Sequence, residues 1–183
     1  VEPEEVAEAF DRLHTAGKVR NFGVSNQSPM LMELLSRYVR QPLVINQLQF
    51  SIAHTRMMDY QIYFNTDNPE AVDRSSEILE YCRLKDITIQ AWSPFQYGFF
   101  QGSFVDNPKF PKINEVLDRI AKEKNVSKSA VVVAWILRHP AKMQVIAGTT
   151  NPGRLSDICQ GADVCISREE WYEIYSAMGR DIP

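Results

Sequence analysis

The sequence predicts an α/β protein built on a parallel sheet. Four short segments rich in β-branched and aromatic residues alternate with stretches of helical periodicity, the pattern of consecutive βαβ units. The strand segments show little strict alternation of apolar and polar residues, as expected for strands covered on both faces. At 183 residues and 44% hydrophobic content, the chain can form one domain around a substantial core. We therefore expect residues 1–183 to lack an internal domain boundary.

A helix is expected first, over residues 1–17. Pro3 and its neighbouring glutamates suit the first turn, Gly17 suits the carboxyl-terminal stop, and Val6, Phe10 and Leu13 share one face. A strand follows at residues 19–25. Leucines at helical spacing then predict a helix over residues 31–38.

The middle of the chain repeats this alternation. Strands are expected at residues 43–50 and 87–92, and helices at residues 78–82 and 113–120. Residues 127–138 are ambiguous, because the run of valines favours a strand whereas Ser127 can cap a helix that Pro140 ends. We interpret them as a helix. Two long connections, residues 51–69 and 94–111, follow strands, where loops of this length are usually functional or partly disordered.

The last third contains one strand and two helices. The strand is expected at residues 144–148, and the next helix at residues 152–160 has Asn151 as its N-cap and Pro152 in its first turn. The final helix begins with the capping box Ser167 to Glu170.

Composition excludes several classes of protein. A net charge of −3, a pI of about 5.7 and the lack of a block of basic residues argue against a nucleic-acid-binding protein. No apolar run is long enough to span a membrane, and the first residues lack the basic and apolar regions of a signal peptide, so we expect neither feature. Cys82, Cys159 and Cys165 form no CxxC pair, so we expect buried or semi-buried reduced thiols, no metal site and a cytoplasmic location.

Three of the predicted strands end in polar clusters. These are Ser25-Asn26, Asn46-Gln47 and Trp92-Ser93. The carboxyl ends of parallel strands meet at one edge of the sheet, where ligands bind in such folds. Neutral amides and hydroxyls can hold a planar polar ligand on which an indole stacks. The alternative is that these residues only terminate strands and cap helices.

The fourth strand end is typical of an anion site. Gly148, Thr149 and Thr150 lead into a helix that begins with free backbone N–H groups, and Arg154 lies one turn further on. The alternative is an ordinary capped helix with a solvated arginine. No group of residues forms a recognisable catalytic constellation, although His54 in the first long connection is a candidate to face a ligand.

These motifs together resemble a known family. Gly23-Val24-Ser25-Asn26, Asn46-Gln47, Ala91-Trp92-Ser93-Pro94 and Ile146-Ala147-Gly148-Thr149-Thr150 followed by Arg154 occur in the order found in the carboxyl-terminal half of the aldo-keto reductases, in particular a bacterial subgroup with IAGTTNP at the last strand. The resemblance covers essentially the whole chain. It implies a (β/α)8 TIM barrel of which this chain supplies the last four βα units, the first four lying upstream of Val1.

The resemblance also implies a cofactor, NADPH, bound without a Rossmann motif. By position, Ser25, Asn26 and Gln47 would hold the nicotinamide carboxamide and Trp92 would stack on the ring. Ser93 and Phe95 would line the pyrophosphate, and Gly148, Thr149, Thr150, Arg154 and Asp157 would surround the adenosine 2′-phosphate, adenine and ribose. Gly148 stands where many members have lysine, and Ile158 where many have asparagine. The expectation of NADP rather than NAD is weakened by these two departures.

The implied activity is the reduction of aldehydes or ketones to alcohols. The family's catalytic Asp, Tyr, Lys and His come from its first four strands, so no residue of this chain is assigned a catalytic role, and the chain alone is expected to be inactive. The implied partners are a small carbonyl substrate and the missing half of the barrel. Two alternatives remain open: a catalytically silent binding or regulatory subunit on the same barrel, and a small flavodoxin-like nucleotide-binding domain.

Overall fold

The computed structural model describes residues 2–98 and 101–183. Val1, within the first predicted helix, and residues 99–100, within the second long connection, lie outside this part of the chain. The described residues form the strands β1 (Phe22–Ser25), β2 (Leu43–Gln49), β3 (Thr88–Trp92) and β4 (Met143–Val145). They form the helices α1 (Pro3–Thr15), α2 (Pro29–Ser36), α3 (Arg56–Ile62), α4 (Ile78–Leu84), α5 (Pro111–Lys124), α6 (Lys128–Leu137), α7 (Pro152–Gln160) and α8 (Arg168–Ser176).

The four strands form one parallel sheet in the order β1-β2-β3-β4. The prediction of consecutive parallel βαβ units is therefore confirmed. β1 and β2 approach closely, because a Cβ added to Gly23 would lie 2.7 Å from the Cβ of Ile45. A larger residue at position 23 would force these two strands apart.

The two faces of the sheet differ in what covers them. Ile89 and Ala91 of β3 are fully buried in a cluster that includes Met32 of α2, Leu79 of α4 and Trp135 of α6. Thr88, Gln90 and Trp92 alternate with them along the strand, point to the opposite face and are only half-buried. The side chains of this second face are largely polar.

Several predicted bounds change. β4 spans Met143–Val145, not residues 144–148, because β3 ends at Trp92 and the backbone N–H of Ile146 makes the last bond to that strand, at 3.0 Å from the Ala91 oxygen. The predicted loop 51–69 contains a helix, α3. α1 forms as predicted but has no fully buried residue; its Phe10 stacks on Phe22 with ring centroids 4.3 Å apart.

The helix signals of the sequence are confirmed in detail. Ser127 caps α6 by accepting the Ala130 N–H, which settles the ambiguous segment as a helix, and Asn151 caps α7. Ser167 and Glu170 form the complete capping box of α8. Of the three free cysteines only Cys82 is buried; Cys159 and Cys165 are exposed, so the expectation of burial was wrong for them. No helix in residues 2–98 and 101–183 has the length and apolar character needed to cross a membrane.

Candidate functional site

Four of the predicted site residues meet at the carboxyl ends of β1, β2 and β3. The hydroxyl of Ser25 and the backbone N–H of Asn26 both donate to the carbonyl oxygen of Gln47, at 3.1 and 3.0 Å. The indole Nε1–H of Trp92 donates to Oδ1 of Asn26 at 3.2 Å. These bonds join three strand ends into one cluster, and Ser25 and Asn26 are exposed to solvent there.

The backbone at two strand ends has an unusual conformation that places these side chains. Asn26 follows β1 and Ser93 follows β3, and both have a φ of 53°. Asparagine adopts this left-handed conformation at low cost, whereas serine does so rarely, and such outliers concentrate at functional sites. Ser93 turns its hydroxyl to Oε1 of Gln96 at 3.0 Å, and the carbonyl of Phe95 accepts the Phe104 N–H at 3.1 Å. Both bonds hold the start of the loop that follows Trp92.

A row of glutamines crosses the open face of the sheet below this cluster. Nε2 of Gln47 donates to Oε1 of Gln90 at 3.1 Å, and Nε2 of Gln90 donates to Oε1 of Gln144 at 3.0 Å. The row fixes the orientation of the Gln47 amide, whose Oε1 is left able to accept a hydrogen bond. Gln90 and Gln144 were not among the predicted site residues. The alternation of side chains along each strand can be read from the sequence. The strand register, which places these two glutamines side by side, cannot.

Asn46 was predicted to belong to a polar cluster that could hold a ligand, and the structure shows that this prediction was wrong. Asn46 lies on the opposite face from Gln47 and is fully buried, so it does not face a ligand. Its Nδ2 donates to the carbonyl oxygen of Gln27 at 2.8 Å and approaches Sδ of Met32 at 3.3 Å. Asn46 therefore anchors the loop after β1, and in this way supports the position of Asn26.

The predicted anion site lies at the junction of β4 and α7. Asn151 accepts the backbone N–H of Arg154 at 3.1 Å, and Thr149 accepts the N–H of Asn151 at 3.2 Å. Thr150 and Arg154 are exposed, Asp157 is half-exposed, and Arg154 takes part in no ion pair among the described residues. A Cβ on Gly148 would meet nothing within 4 Å, so the space that a larger side chain would occupy is open.

The first long connection brings further residues to the site. His54, which the sequence marked as a candidate, is half-buried and lines a cleft together with Asn26 and Trp92. Burial, and after it the positive charge of Arg56, lowers the pKa of His54, so that its imidazole is neutral at pH 7. Within the described ranges, no three His, Cys, Asp or Glu side chains are grouped so as to hold a metal ion.

Comparisons with known proteins agree with this geometry. The family model of the aldo/keto reductase family matches residues 1–178. The chain is 33% identical to the 6-dehydroglucose reductase of Agrobacterium fabrum over all of this chain and 54% of that protein. It is 30% identical to the oxidoreductase YdhF of Escherichia coli, again over all of this chain and 55% of that protein. The chain thus spans about half the length of the curated relatives it matches.

Solved structures show the same fold. The thermostable aldo-keto reductase Tm1743, crystallised with the inhibitor epalrestat, matches 97% of this chain and 55% of its own length with a TM-score of 0.70 and 21% identity. The Bombyx mori aldo-keto reductase in complex with NADP matches 92% of this chain and 48% of its own length with a TM-score of 0.64 and 20% identity. The parallel sheet, the motifs at its strand ends and the match over residues 1–178 lead to one conclusion: this chain belongs to the aldo/keto reductase family.

Proposed function

We propose that this chain is the cofactor-binding half of an NADPH-dependent reductase of small aldehydes or ketones. The observation that carries the proposal is the cluster of Ser25, Asn26, Gln47 and Trp92, joined by hydrogen bonds at the ends of three neighbouring strands. NADPH, when bound, supplies the hydride. The side chains of this cluster orient the nicotinamide ring and thereby select the face from which the hydride leaves.

The residues present fit this cofactor chemically. A carboxamide needs both donors and acceptors, and the unused Nδ2 of Asn26 and Oε1 of Gln47 offer one of each. Trp92 offers a half-exposed indole for stacking. The 2′-phosphate is assigned to the first turn of α7 and the segment before it, which carry Thr149, Thr150 and Arg154 close in sequence to the open position at Gly148. Among the described residues the guanidinium of Arg154 has no ion-pair partner, and Asp157 follows about one turn further on. Ser93 and Phe95 are assigned to the pyrophosphate between these ends.

The rest of the reductase is proposed to be a second set of four βα units. The curated relatives are almost twice as long as this chain, and β1 and β4 each have one edge without a partner strand in the described part of the structure. Closing a barrel would pair both edges. The proton donor is assigned to that other half, because no Tyr–Lys or Tyr–His pair is joined by a hydrogen bond among residues 2–98 and 101–183. We expect the protein to act in the cytoplasm, with its cysteines as free thiols.

The test uses the native protein that carries this chain. Reduction of a simple aldehyde is followed by the loss of NADPH absorbance, and binding of NADPH by isothermal titration calorimetry. We expect turnover, and we expect a double variant Ser25→Ala and Asn26→Ala to weaken binding of NADPH at least tenfold, the scale of one or two lost hydrogen bonds. A matched control, Ser36→Ala on the exposed surface of α2, leaves both unchanged.

Two results would contradict the proposal in different ways. Tight binding of NADPH without turnover of any aldehyde or ketone would identify a catalytically silent binding or regulatory subunit. If the wild-type protein does not bind NADPH, the proposal that this cluster binds the nicotinamide is wrong.

A further inference from the structure

The cleft that His54 lines together with Asn26 and Trp92 has a volume of about 550 Å³ and opens between the loop after β1 and the segment that follows β2. Asn26 and Trp92 line it and also belong to the proposed nicotinamide site. His54, Arg56, Arg74 and Ser75 line it as well. Its described walls come from the loop after β1, from the ends of β2 and β3, and from the segment between β2 and the start of α4.

The charge of the cleft is opposite to that of the chain. Its lining contains two arginines and no aspartate or glutamate, although the chain as a whole has a net charge of −3. Arg56 is exposed and takes part in no ion pair among the described residues. Guanidinium groups attract anions, and their planar forks match a carboxylate or phosphate.

Two acidic residues close to the cleft in sequence, Glu70 and Asp73, are engaged by neighbouring groups. Arg74 pairs with Glu70 at 3.2 Å, yet 44% of its side chain stays accessible. The carboxylate of Asp73 accepts the backbone N–H groups of Ser75 at 2.8 Å and Glu77 at 3.0 Å, and so closes its own loop. His54 adds a neutral hydrogen-bonding imidazole to the wall. The two guanidinium groups of the wall carry donors and no acceptor.

We propose that this cleft is a binding site for an oxyanion, a carboxylate or a phosphate, held by Arg56 and Arg74. This cleft is separate from the predicted anion site at Arg154, which lies where β4 leads into α7, and β4 is the edge strand at the opposite end of the sheet from β1. Two sources fit the same chemistry: an anionic group on the carbonyl substrate, or a phosphate of the cofactor. Identifying which of these two sources supplies the anion rests on the proposed function. The proposal that the cleft binds an oxyanion does not rest on it.

The test of the site itself is an NMR titration with inorganic phosphate at constant ionic strength. The reporter is the indole N–H of Trp92, identified by its loss in the variant Trp92→Phe. Trp135 and Trp171 serve as internal references, because their indole N–H groups donate to each other's backbone carbonyls in the core. We expect the Trp92 signal to shift in a saturable way, and Arg56→Ala to weaken the binding about tenfold, the scale of one charged hydrogen bond.

The matched control is Arg20→Ala, an exposed arginine just before β1 at the amino end of the sheet. It should leave the phosphate titration unchanged. A Trp92 signal that does not move, or an equal response in the wild type and in Arg56→Ala, would overturn the proposal. This titration needs no turnover, so its result is independent of whether the protein proves to be a reductase.

Two further measurements distinguish the sources. If the substrate supplies the anion, the wild type should prefer succinic semialdehyde to butanal by kcat/KM, and Arg56→Ala should remove that preference while NADPH affinity stays the same. If the cofactor supplies the anion, Arg56→Ala should instead weaken NADPH binding about tenfold. The ratio of kcat/KM for the two aldehydes should then equal that of the wild type. An Arg56→Ala variant that changes neither quantity would overturn the assignment of the cleft to the reductase reaction.

Discussion

In the proposed function, Arg154 is the residue on which the choice between NADPH and NADH is expected to depend most directly. Its guanidinium is exposed in the first turn of α7 and has no ion-pair partner in the described part of the chain. The variant Arg154→Ala should lose about 1.5–3 kcal/mol of NADPH binding, the scale of a charged hydrogen bond, and almost none of NADH binding. Calorimetric titration of both cofactors measures this, with the exposed Arg37→Ala as control. Equal losses for the two cofactors would exclude the 2′-phosphate role.

The role proposed for Trp92 can be tested by protein fluorescence. Its indole is half-buried at the end of β3 and donates to Asn26, whereas Trp135 and Trp171 are buried in the core. The variant Trp92→Ala should weaken NADPH binding and remove the part of the fluorescence quenching that arises at the cofactor site. Trp92→Phe should retain most of the affinity, because a phenyl ring still stacks. Unchanged affinity and quenching in Trp92→Ala would place the cofactor elsewhere.

His139 makes the stability of the fold sensitive to acid. Burial, and after it the charge of Arg83, lowers its pKa to about 4 from an ordinary value of 6.5, and its Nδ1 accepts the Ala141 N–H at 3.2 Å. Between these two values the unfolded chain binds a proton that the folded chain does not. The stabilising contribution of the neutral imidazole is therefore complete above about pH 6.5 and is lost as the pH falls towards 4.

The variant His139→Asn keeps an acceptor for Ala141 but does not titrate. Urea unfolding at pH 7 and pH 4.5 should show that the wild type loses about 2 kcal/mol more than this variant does, the scale expected from the shift. The exposed His14→Asn serves as control and should behave like the wild type. A His139→Asn variant that loses as much stability as the wild type in acid would contradict the prediction.

At the scale of elements, α8 is the helix whose attachment is best defined. Trp171 stacks on Trp135 of α6 with ring centroids 5.0 Å apart and an interplanar angle of 8°, and each indole N–H donates to the other's backbone carbonyl. Tyr175 donates to the buried carboxylate of Asp59 in α3 at 2.9 Å. These contacts connect the last helix to the first long connection, which carries His54 and Arg56.

The capping box of α8 gives a prediction for this element. Ser167→Ala removes the acceptor of the Glu170 N–H, now at 3.1 Å, and should cost about 1 kcal/mol of stability. Thermal unfolding measures the loss, and Ser36→Ala, within the last turn of α2, is the control. Because Ser167 lies away from the strand ends, NADPH affinity should not change. An unaltered melting temperature would mean that the cap contributes nothing to the stability of the fold.

At the scale of the whole molecule, the sheet of the described residues has two edges with unpaired backbone hydrogen-bonding groups and one face that is only partly covered. β1 and β4 are edge strands in the described part of the chain, and the face that carries Gln47, Gln90 and Gln144 is only partly covered. Exposed edges of parallel strands pair readily with other chains. We therefore expect the 183-residue chain, purified alone, to dimerise or aggregate and to lack NADPH-dependent reductase activity.

Analytical ultracentrifugation, thermal unfolding and an aldehyde turnover assay on that chain test this expectation. The comparison sample is the same chain mixed with, or fused to, the first half of a related barrel, where we expect less association and a sharper unfolding transition. A monodisperse monomer that unfolds cooperatively and reduces aldehydes at the rate of an intact family member would contradict both the half-barrel proposal and the assignment of the catalytic residues to the other half.

The sequence alone determined the order of the strands and of every described α-helix except α3, the N-caps of α6, α7 and α8, and the polar motifs at the strand ends. Helix caps such as Ser127, Asn151 and Ser167 depend on local hydrogen bonds, so a few neighbouring residues suffice to predict them. The order of the motifs also indicated the family. Helix α3 was missed because its seven residues carry no cap signal and are held by burial against distant parts of the chain.

Only the tertiary structure decided which polar side chains share a surface. Asn46 and Gln47 are neighbours in sequence, yet one is buried among helices and the other lies on the open face, because side chains alternate along a strand. The glutamine row depends on the register of three strands, and the cleft of Arg56 and Arg74 depends on how a long connection folds back against the loop after β1. Periodicity predicts which element a residue belongs to, but contacts between distant segments are set by packing.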